Sequence, residues 1–274
     1  MTPENASRIN SYFIESLGRG LKVLSLFSTE SPTLSLNDVT QRLQLNKTTA
    51  YRLLYTLENL GYIRRDAETR RYQPTLEILR LGFVVLNQLE VRQIAAPYLR
   101  QLVDDVQETV NLAVLDQHEV VYIDRVGSKH MVNVYRPIGS RLPAYCTSTG
   151  KVLLAFSPPE IVERAIEATS WQQLTERTIV SPEAFRKNLA LIRRRGFADS
   201  YGEMIPELSA VSAPIFQNNG QVIAAVNISV PTHRTTYERL VNELGPRVVK
   251  TAQQISQAFG YHSDVTAQAK RKIR

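Results

Sequence analysis

The apolar residues of the chain change their spacing at residue 109, from a helical repeat to an alternation of two. That change restricts the fold to two modules of different class. With 274 residues, 43% of them hydrophobic, there is material for two cores. In the first stretch, Ile14, Leu17, Leu21 and Leu24 stand at i, i+3, i+7 and i+10, one face of a helix that stops at the turn-forming residues 28–32. Ser35 with Asp38 three positions on caps a second helix carrying Leu36, Val39 and Leu43 on one face, with a break at Leu45-Asn46. Asn46 caps a third, whose stripe of Ala50, Leu53, Leu54, Leu57 and Leu60 ends at Gly61.

The other face of this third helix carries Lys47, Thr48, Thr49, Tyr51, Arg52, Tyr55, Thr56 and Asn59, and its one acid, Glu58, lies in the last turn. A helix fits the major groove of double-stranded DNA, Arg52 can reach guanine acceptors or phosphate, and threonines at a helix N-terminus suit phosphate oxygens or a thymine methyl. Residues 62–72 then read as a hairpin with an arginine pair on each arm, Arg64 with Arg65 and Arg70 with Arg71. This is the pattern of a winged helix-turn-helix, whose wing lies beside the minor groove or backbone. The charge distribution agrees. Residues 1–73 hold ten basic and seven acidic side chains, 74–264 hold nineteen of each, and 265–274 hold four basic and no acidic ones. The competing readings are a solvated surface with a frayed tail, and a small helical bundle with a charged hairpin.

Residues 75–90 continue as a helix with Leu76, Leu79, Phe83 and Leu86 in a seam, broadened by Leu81, Val84, Val85 and Leu89. So much apolar surface requires burial, either in a seam between two chains or against the helix's own chain. A further helix over 91–107 leads to strands at 110–115, 120–123 and 131–135. Helices follow at 149–156, 159–169 and 181–196, strands at 197–201, 209–216 and 222–230, and a last helical stretch over 235–259 that is bent or broken near Gly245-Pro246. The fold class is α+β: a winged helix-turn-helix over 1–73, a connecting helix over 74–90, a GAF/PAS-like sensor domain over 91–262 and a basic tail over 263–274.

Chemistry concentrates at Tyr145-Cys146-Thr147-Ser148-Thr149-Gly150-Lys151, which opens a helix. Free amides of the first turn, the helix dipole and three hydroxyls can hold a carboxylate; ordinary capping by Ser or Thr is the competing reading. The segment is not a Walker phosphate loop, because Tyr145 replaces its first glycine and Val152 its Ser or Thr, so Gly150-Lys151 is coincidental. One cysteine excludes an internal disulfide, and the four histidines, His118, His130, His233 and His262, show no ligand spacing; no metal or cofactor is expected. No signature for nucleophilic catalysis surrounds Cys146, and Asp124 and Glu203 to Glu207 read as ordinary surface or loop carboxylates. With apolar runs of only a few residues and no leader, the chain is expected to be soluble and cytoplasmic, without membrane attachment.

The order of parts resembles the IclR family of bacterial transcriptional regulators, over about residues 17–259. The resemblance is carried by Leu17-Gly18-Arg19-Gly20-Leu21-Lys22-Val23-Leu24, Asn46-Lys47-Thr48-Thr49-Ala50-Tyr51-Arg52-Leu53-Leu54, Leu60-Gly61-Tyr62, residues 142–155 and Arg195-Gly196-Phe197. The 142–155 stretch is most similar to members that sense protocatechuate, p-hydroxybenzoate or related aromatic acids. The resemblance implies a ligand-responsive regulator of a catabolic operon, not an enzyme, acting as a homodimer or dimer of dimers on a palindromic operator. It implies an effector pocket of Ser148, Thr149, Ser200, Ala210, Asn227 and Ser229, filled by a small, aromatic carboxylic acid. Members that sense glyoxylate or pyruvate carry an acid, a cysteine and a serine where this chain has Ser200, Ala210 and Asn227, which disfavours those ligands. Independently, Asn227 and Ser229, two apart on a strand, face one side. A small-molecule enzyme with an accessory helical domain is the alternative function, and a plain oligomerisation module a third.

Overall fold

A computed structural model of the chain describes residues 12–28, 30–128 and 137–261. The strand expected at 131–135, the tail at 263–274, His130 and His262 lie outside them. The chain divides into two compact units at Gln88/Leu89.

The first unit contains α1 (Glu15–Ser25), α2 (Leu36–Leu43), α3 (Lys47–Asn59), a two-stranded ribbon of β1 (Ile63–Arg65) and β2 (Tyr72–Pro74), and α4 (Glu77–Gln88). Ser35 and Asp38 make a reciprocal capping box: Asp38 N–H donates to Ser35 Oγ at 3.1 Å and Ser35 N–H to the Asp38 carboxylate at 2.8 Å. The core is Val23, Leu34, Val39, Ala50, Leu54, Leu57, Ile63 and Tyr72. Leu34 bridges to the ribbon by exchanging backbone hydrogen bonds with Tyr72 at 2.9 and 2.7 Å. Most of the apolar row read along α1 lies outside the core. Ile14, Leu17 and Leu21 are exposed, and α1 enters the core through Val23 instead, with Leu24, Leu26 and Phe27 beside it. A unit this small has one core, and α1 carries more apolar surface than α2 and α3 can cover. The same holds for α4, none of whose residues is buried and whose Leu79, Phe83, Val84 and Val85 are all about half exposed or more.

The second unit starts with α5 (Glu90–Val106) and is built on a six-stranded antiparallel sheet. Its strands are β3 (Thr109–Asp116), β4 (Glu119–Val126), β5 (Arg141–Pro143), β6 (Ala198–Tyr201), β7 (Leu208–Phe216) and β8 (Val222–Pro231), in the order β5-β4-β3-β8-β7-β6. Between β5 and β6 come α6 (Ser148–Phe156), α7 (Pro159–Ala168) and α8 (Pro182–Arg195), which ends at Gly196 in the left-handed region, φ 83°. After β8 come α9 (Tyr237–Arg239), a π-turn (Leu240–Leu244) and α10 (Gly245–Ala258). The irregularity expected near Gly245-Pro246 takes the form of the π-turn, after which Pro246 occupies the first turn of α10, where a missing N–H is tolerated. Helix α6 packs on β7 and β8, while α5 and α10 pack together against the sheet.

The register positions the functional groups. Asn111, Asn227 and Ser212 are successive cross-strand partners on β3, β8 and β7; Ser229, Ala210 and Ser200 form the next row on β8, β7 and β6. Residues sharing a cross-strand row share a face of the sheet.

Candidate functional site

Two places carry the polar groups singled out in the sequence, one in each unit. In the first, Asn46 Oδ1 accepts the Thr49 amide at 2.8 Å and fixes the start of α3. Lys47, Thr48, Tyr51, Arg52 and Tyr55 are exposed and Thr49 is half-buried. The Tyr51 and Tyr55 rings stack along the helix, 6.2 Å apart. Glu58, the acid of this helix, accepts the Arg65 amide at 3.2 Å, which fastens the wing to α3. Within the wing, Asp66 takes hydrogen bonds from the Thr69 amide and hydroxyl, both at 2.8 Å, and these hold its carboxyl below the usual range. Arg64 and Arg65 are exposed on β1, with the Arg65 guanidinium 5.5 Å from the Tyr72 ring centre; Arg70 stands at the turn with φ 57°. Arg71, its side chain 42% exposed, is held by Thr33 and Asp38.

In the second unit, a cavity lies between the mouth of α6 and the two rows on the sheet. Asn111, Cys146, Thr147, Ser148, Ser200, Ala210, Asn227 and Ser229 line it together with Tyr122, Leu142, Met204 and Leu208. Five of the six residues expected there from sequence thus meet in one place. Thr149 does not border the cavity: its hydroxyl lies 3.2 Å from Ser212 Oγ, which also meets Ser148 Oγ at 2.8 Å. The cap of α6 is Thr147, whose Oγ1 accepts the Gly150 amide at 3.1 Å, so capping and cavity lining coexist on the same turn. At the other end, Asn111 Nδ2 donates to Asn227 Oδ1 at 2.7 Å and to Ser229 Oγ at 3.2 Å, while Asn111 Oδ1 is buried without a hydrogen-bond partner. Free space amounts to about 30 Å³.

Sequence reasoning missed three of these groups. Asn111 lies within an apolar strand, and its polarity there was the available signal. Ser212 lies on β7, far along the chain from the hydroxyls it meets. The third is a buried ion pair: Lys151, 2% exposed, reaches Glu203 at 2.6 Å. Glu203 is therefore a buried carboxylate rather than a surface one, and Lys151 is spent on it. Burial raises the Glu203 pKa, against the opposing pull of Lys151. Burial also pushes the Cys146 thiol up to about 12, so it stays protonated at neutral pH and is a small apolar wall of the cavity. Gly150 is required by a close approach: a Cβ there would stand 2.3 Å from both Cα and O of Ala144.

Family comparisons agree with this two-part geometry. The IclR helix-turn-helix domain matches residues 16–67, and the family described as bacterial transcriptional regulator IclR C-terminal matches residues 83–257. The chain belongs to the IclR family. It is 34% identical over 250 residues to the HTH-type transcriptional regulator KdgR of Escherichia coli, covering 90% of this chain and 95% of the relative. It is 33% identical over 249 residues to the transcriptional repressor IclR of the same organism, covering 90% of each. Among solved structures, an IclR homologue from Microbacterium hydrocarbonoxydans, crystallised with 4-hydroxybenzoate, superposes with a TM-score of 0.76 at 24% identity, over 89% of this chain and 99% of that one. The protein is a transcriptional regulator with an N-terminal helix-turn-helix domain and an α+β C-terminal domain, and it is not an enzyme. Among the described residues no helix is long and apolar enough to cross a membrane.

Proposed function

We propose that this regulator controls a catabolic operon from the cytoplasm and that its effector is a small aromatic acid bearing a hydroxyl group. The observation that carries the reading is the polarity of the cavity. Helix α6 offers first-turn amides and a dipole that favour an anion. The sheet end offers the unpartnered Asn111 Oδ1, an acceptor that needs a donor. None of the lining residues is charged, so an ammonium group would be left without a counter-charge where a hydroxyl would not. Ser148, Ser200, Asn227 and Ser229 complete the polar lining, Ala210 leaves room, and Thr149 contributes through Ser212 rather than by contact. The free space is far below the ~150 Å³ that receives a benzene ring, so binding displaces the wall formed by Leu142, Met204 and Leu208. That displacement makes the bound and free states different, which a ligand-controlled regulator requires.

The DNA-facing groups of this reading are Lys47, Thr48, Thr49, Tyr51, Arg52 and Tyr55 on α3 and Arg64, Arg65 and Arg70 on the wing. The exposed apolar rows of α1 and α4 support pairing with a second copy, as a homodimer or dimer of dimers on a palindromic operator. The test is a titration of operator and random duplexes, with and without benzoate, 4-hydroxybenzoate and phenol. The hydroxy acid is expected to raise the melting temperature, by the equivalent of about 2.7 kcal/mol at a hundred times its Kd. It should change operator affinity, and operator should change its affinity by the same factor. Arg52→Ala is expected to lower operator affinity by about 1 to 3 kcal/mol with a smaller effect on random DNA. An unchanged operator affinity would remove Arg52 from the interface, and no response to any of the three compounds would overturn the effector reading.

A further inference from the structure

The wing's two arginine pairs are equivalent in sequence and differ in structure. Arg71 Nε donates to Thr33 Oγ1 at 2.8 Å, and its Nη2 donates to the Thr33 carbonyl at 3.0 Å and to Asp38 Oδ2 at 3.0 Å. The same Asp38 oxygen accepts the Ser35 amide in the cap of α2. One carboxylate therefore joins the first turn of the helix-turn-helix to the base of the wing. The neighbouring backbone strengthens the joint: Leu34 and Tyr72 exchange hydrogen bonds one residue away on each side. Each acceptor of the Arg71 guanidinium belongs to the segment before α2 or to α2 itself, and none to the wing; only its backbone amide turns back, to Thr69 Oγ1 at 3.4 Å.

We propose that Arg71 is a positioning residue rather than a phosphate contact, and that with Asp38 and Thr33 it clamps the wing at the angle from which Arg64, Arg65 and Arg70 reach DNA. The planar guanidinium suits this task because it meets three acceptors on two residues at fixed directions; a lysine ammonium keeps the charge but not the fork. A clamp also accounts for an acid in the DNA-binding unit beside an arginine that could otherwise face phosphate. This proposal rests on the winged-helix reading of the unit and not on the effector.

The two roles predict opposite responses. If Arg71 touched phosphate, Arg71→Lys would bind nearly as well as wild type, and Arg71→Ala would flatten the salt dependence by about one contact per protomer. Asp38→Asn, which removes a negative charge near a polyanion, would then bind more tightly. A clamp predicts that Arg71→Lys and Asp38→Asn each weaken binding to operator and random duplex alike, by about tenfold. It further predicts that the double variant Arg71→Ala/Asp38→Asn is no worse than Arg71→Ala, because the two side chains make one joint. Thr33→Val, which leaves the α2 cap untouched, should weaken binding in the same direction, and circular dichroism checks that each variant is folded. Tighter binding by Asp38→Asn, near-wild-type binding by Arg71→Lys, or additive losses in the double variant would each overturn the clamp. Wild-type affinity in Thr33→Val would confine the joint to Asp38 and overturn its three-residue form.

Discussion

Lys151→Met is expected to destabilise the C-terminal domain by about 3 to 5 kcal/mol, the usual consequence of leaving one member of a buried ion pair without its partner. Methionine fills much of the volume, so the loss comes from Glu203, which keeps a buried carboxylate with one oxygen already unpartnered and now loses the Lys151 ammonium at 2.6 Å. The double variant Lys151→Met/Glu203→Leu removes both charges and should recover most of that loss, since apolar replacement of a buried pair is often neutral or stabilising. The pH dependence has a definite sign. Burial raises the Glu203 pKa in the folded state, so ionising it opposes folding, and stability falls as pH rises from the unfolded value of about 4.5 through the folded one. Without Lys151 the rise is larger, and the single variant should be at its most stable in acid. Urea unfolding followed by the fluorescence of Trp171, the chain's single tryptophan, which packs on Tyr145 and Phe185, reads this domain directly. A single variant as stable as wild type at neutral pH would show that the pair bears no such load.

What could be read in the sequence was what depends on neighbours along the chain. The Ser35–Asp38 box, the Asn46 cap, the Thr147 turn and the left-handed Gly196 are local devices, and each stands within one turn of the helix end it marks. The expected cavity residues came together because antiparallel register brings Ser229, Ala210 and Ser200 into one row. The unread part is long-range. Lys151 and Glu203 are 52 positions apart and Asn111 and Asn227 are 116 apart, and no local pattern distinguishes them from solvated side chains. Periodicity identified α1 correctly as a helix and left open which side faces the core, because a repeat shows that an apolar side exists and not what covers it. Arg71 shows the same limit for charge: two adjacent arginines look alike until one finds an internal carboxylate.

The second large effect falls on Gly150, where two terms of opposite sign compete. Alanine is the better helix former by about 1 kcal/mol, and at an open position inside a helix it should stabilise by that order. Gly20, inside α1, is such a position: nothing lies within 4 Å of where its Cβ would be, and Gly20→Ala is expected to stabilise the N-terminal unit by up to about 1 kcal/mol. At Gly150 the new methyl would stand 2.3 Å from the Ala144 Cα and carbonyl oxygen, and 2.6 Å from the carbonyl carbon. These are backbone atoms with no rotamer to change, in a short turn, residues 144–146, whose side chains are all buried. Relief requires α6 to move away from the turn, carrying Ser148 out of the cavity and breaking its contact with Ser212. Overpacking of this kind costs about 1 to 3 kcal/mol where the neighbours can yield and more where they cannot, so the clash outweighs the propensity gain. Gly150→Ala is therefore expected to lose about 3 kcal/mol in the C-terminal domain, together with stabilisation by the hydroxy acid. Binding to random DNA, a property of the other unit, should survive. Calorimetry of the two alanine variants with and without 4-hydroxybenzoate measures both signs at once, and a Gly150→Ala protein that melts with the wild type and still responds to the acid would show that the turn and α6 do not meet as closely as 2.3 Å.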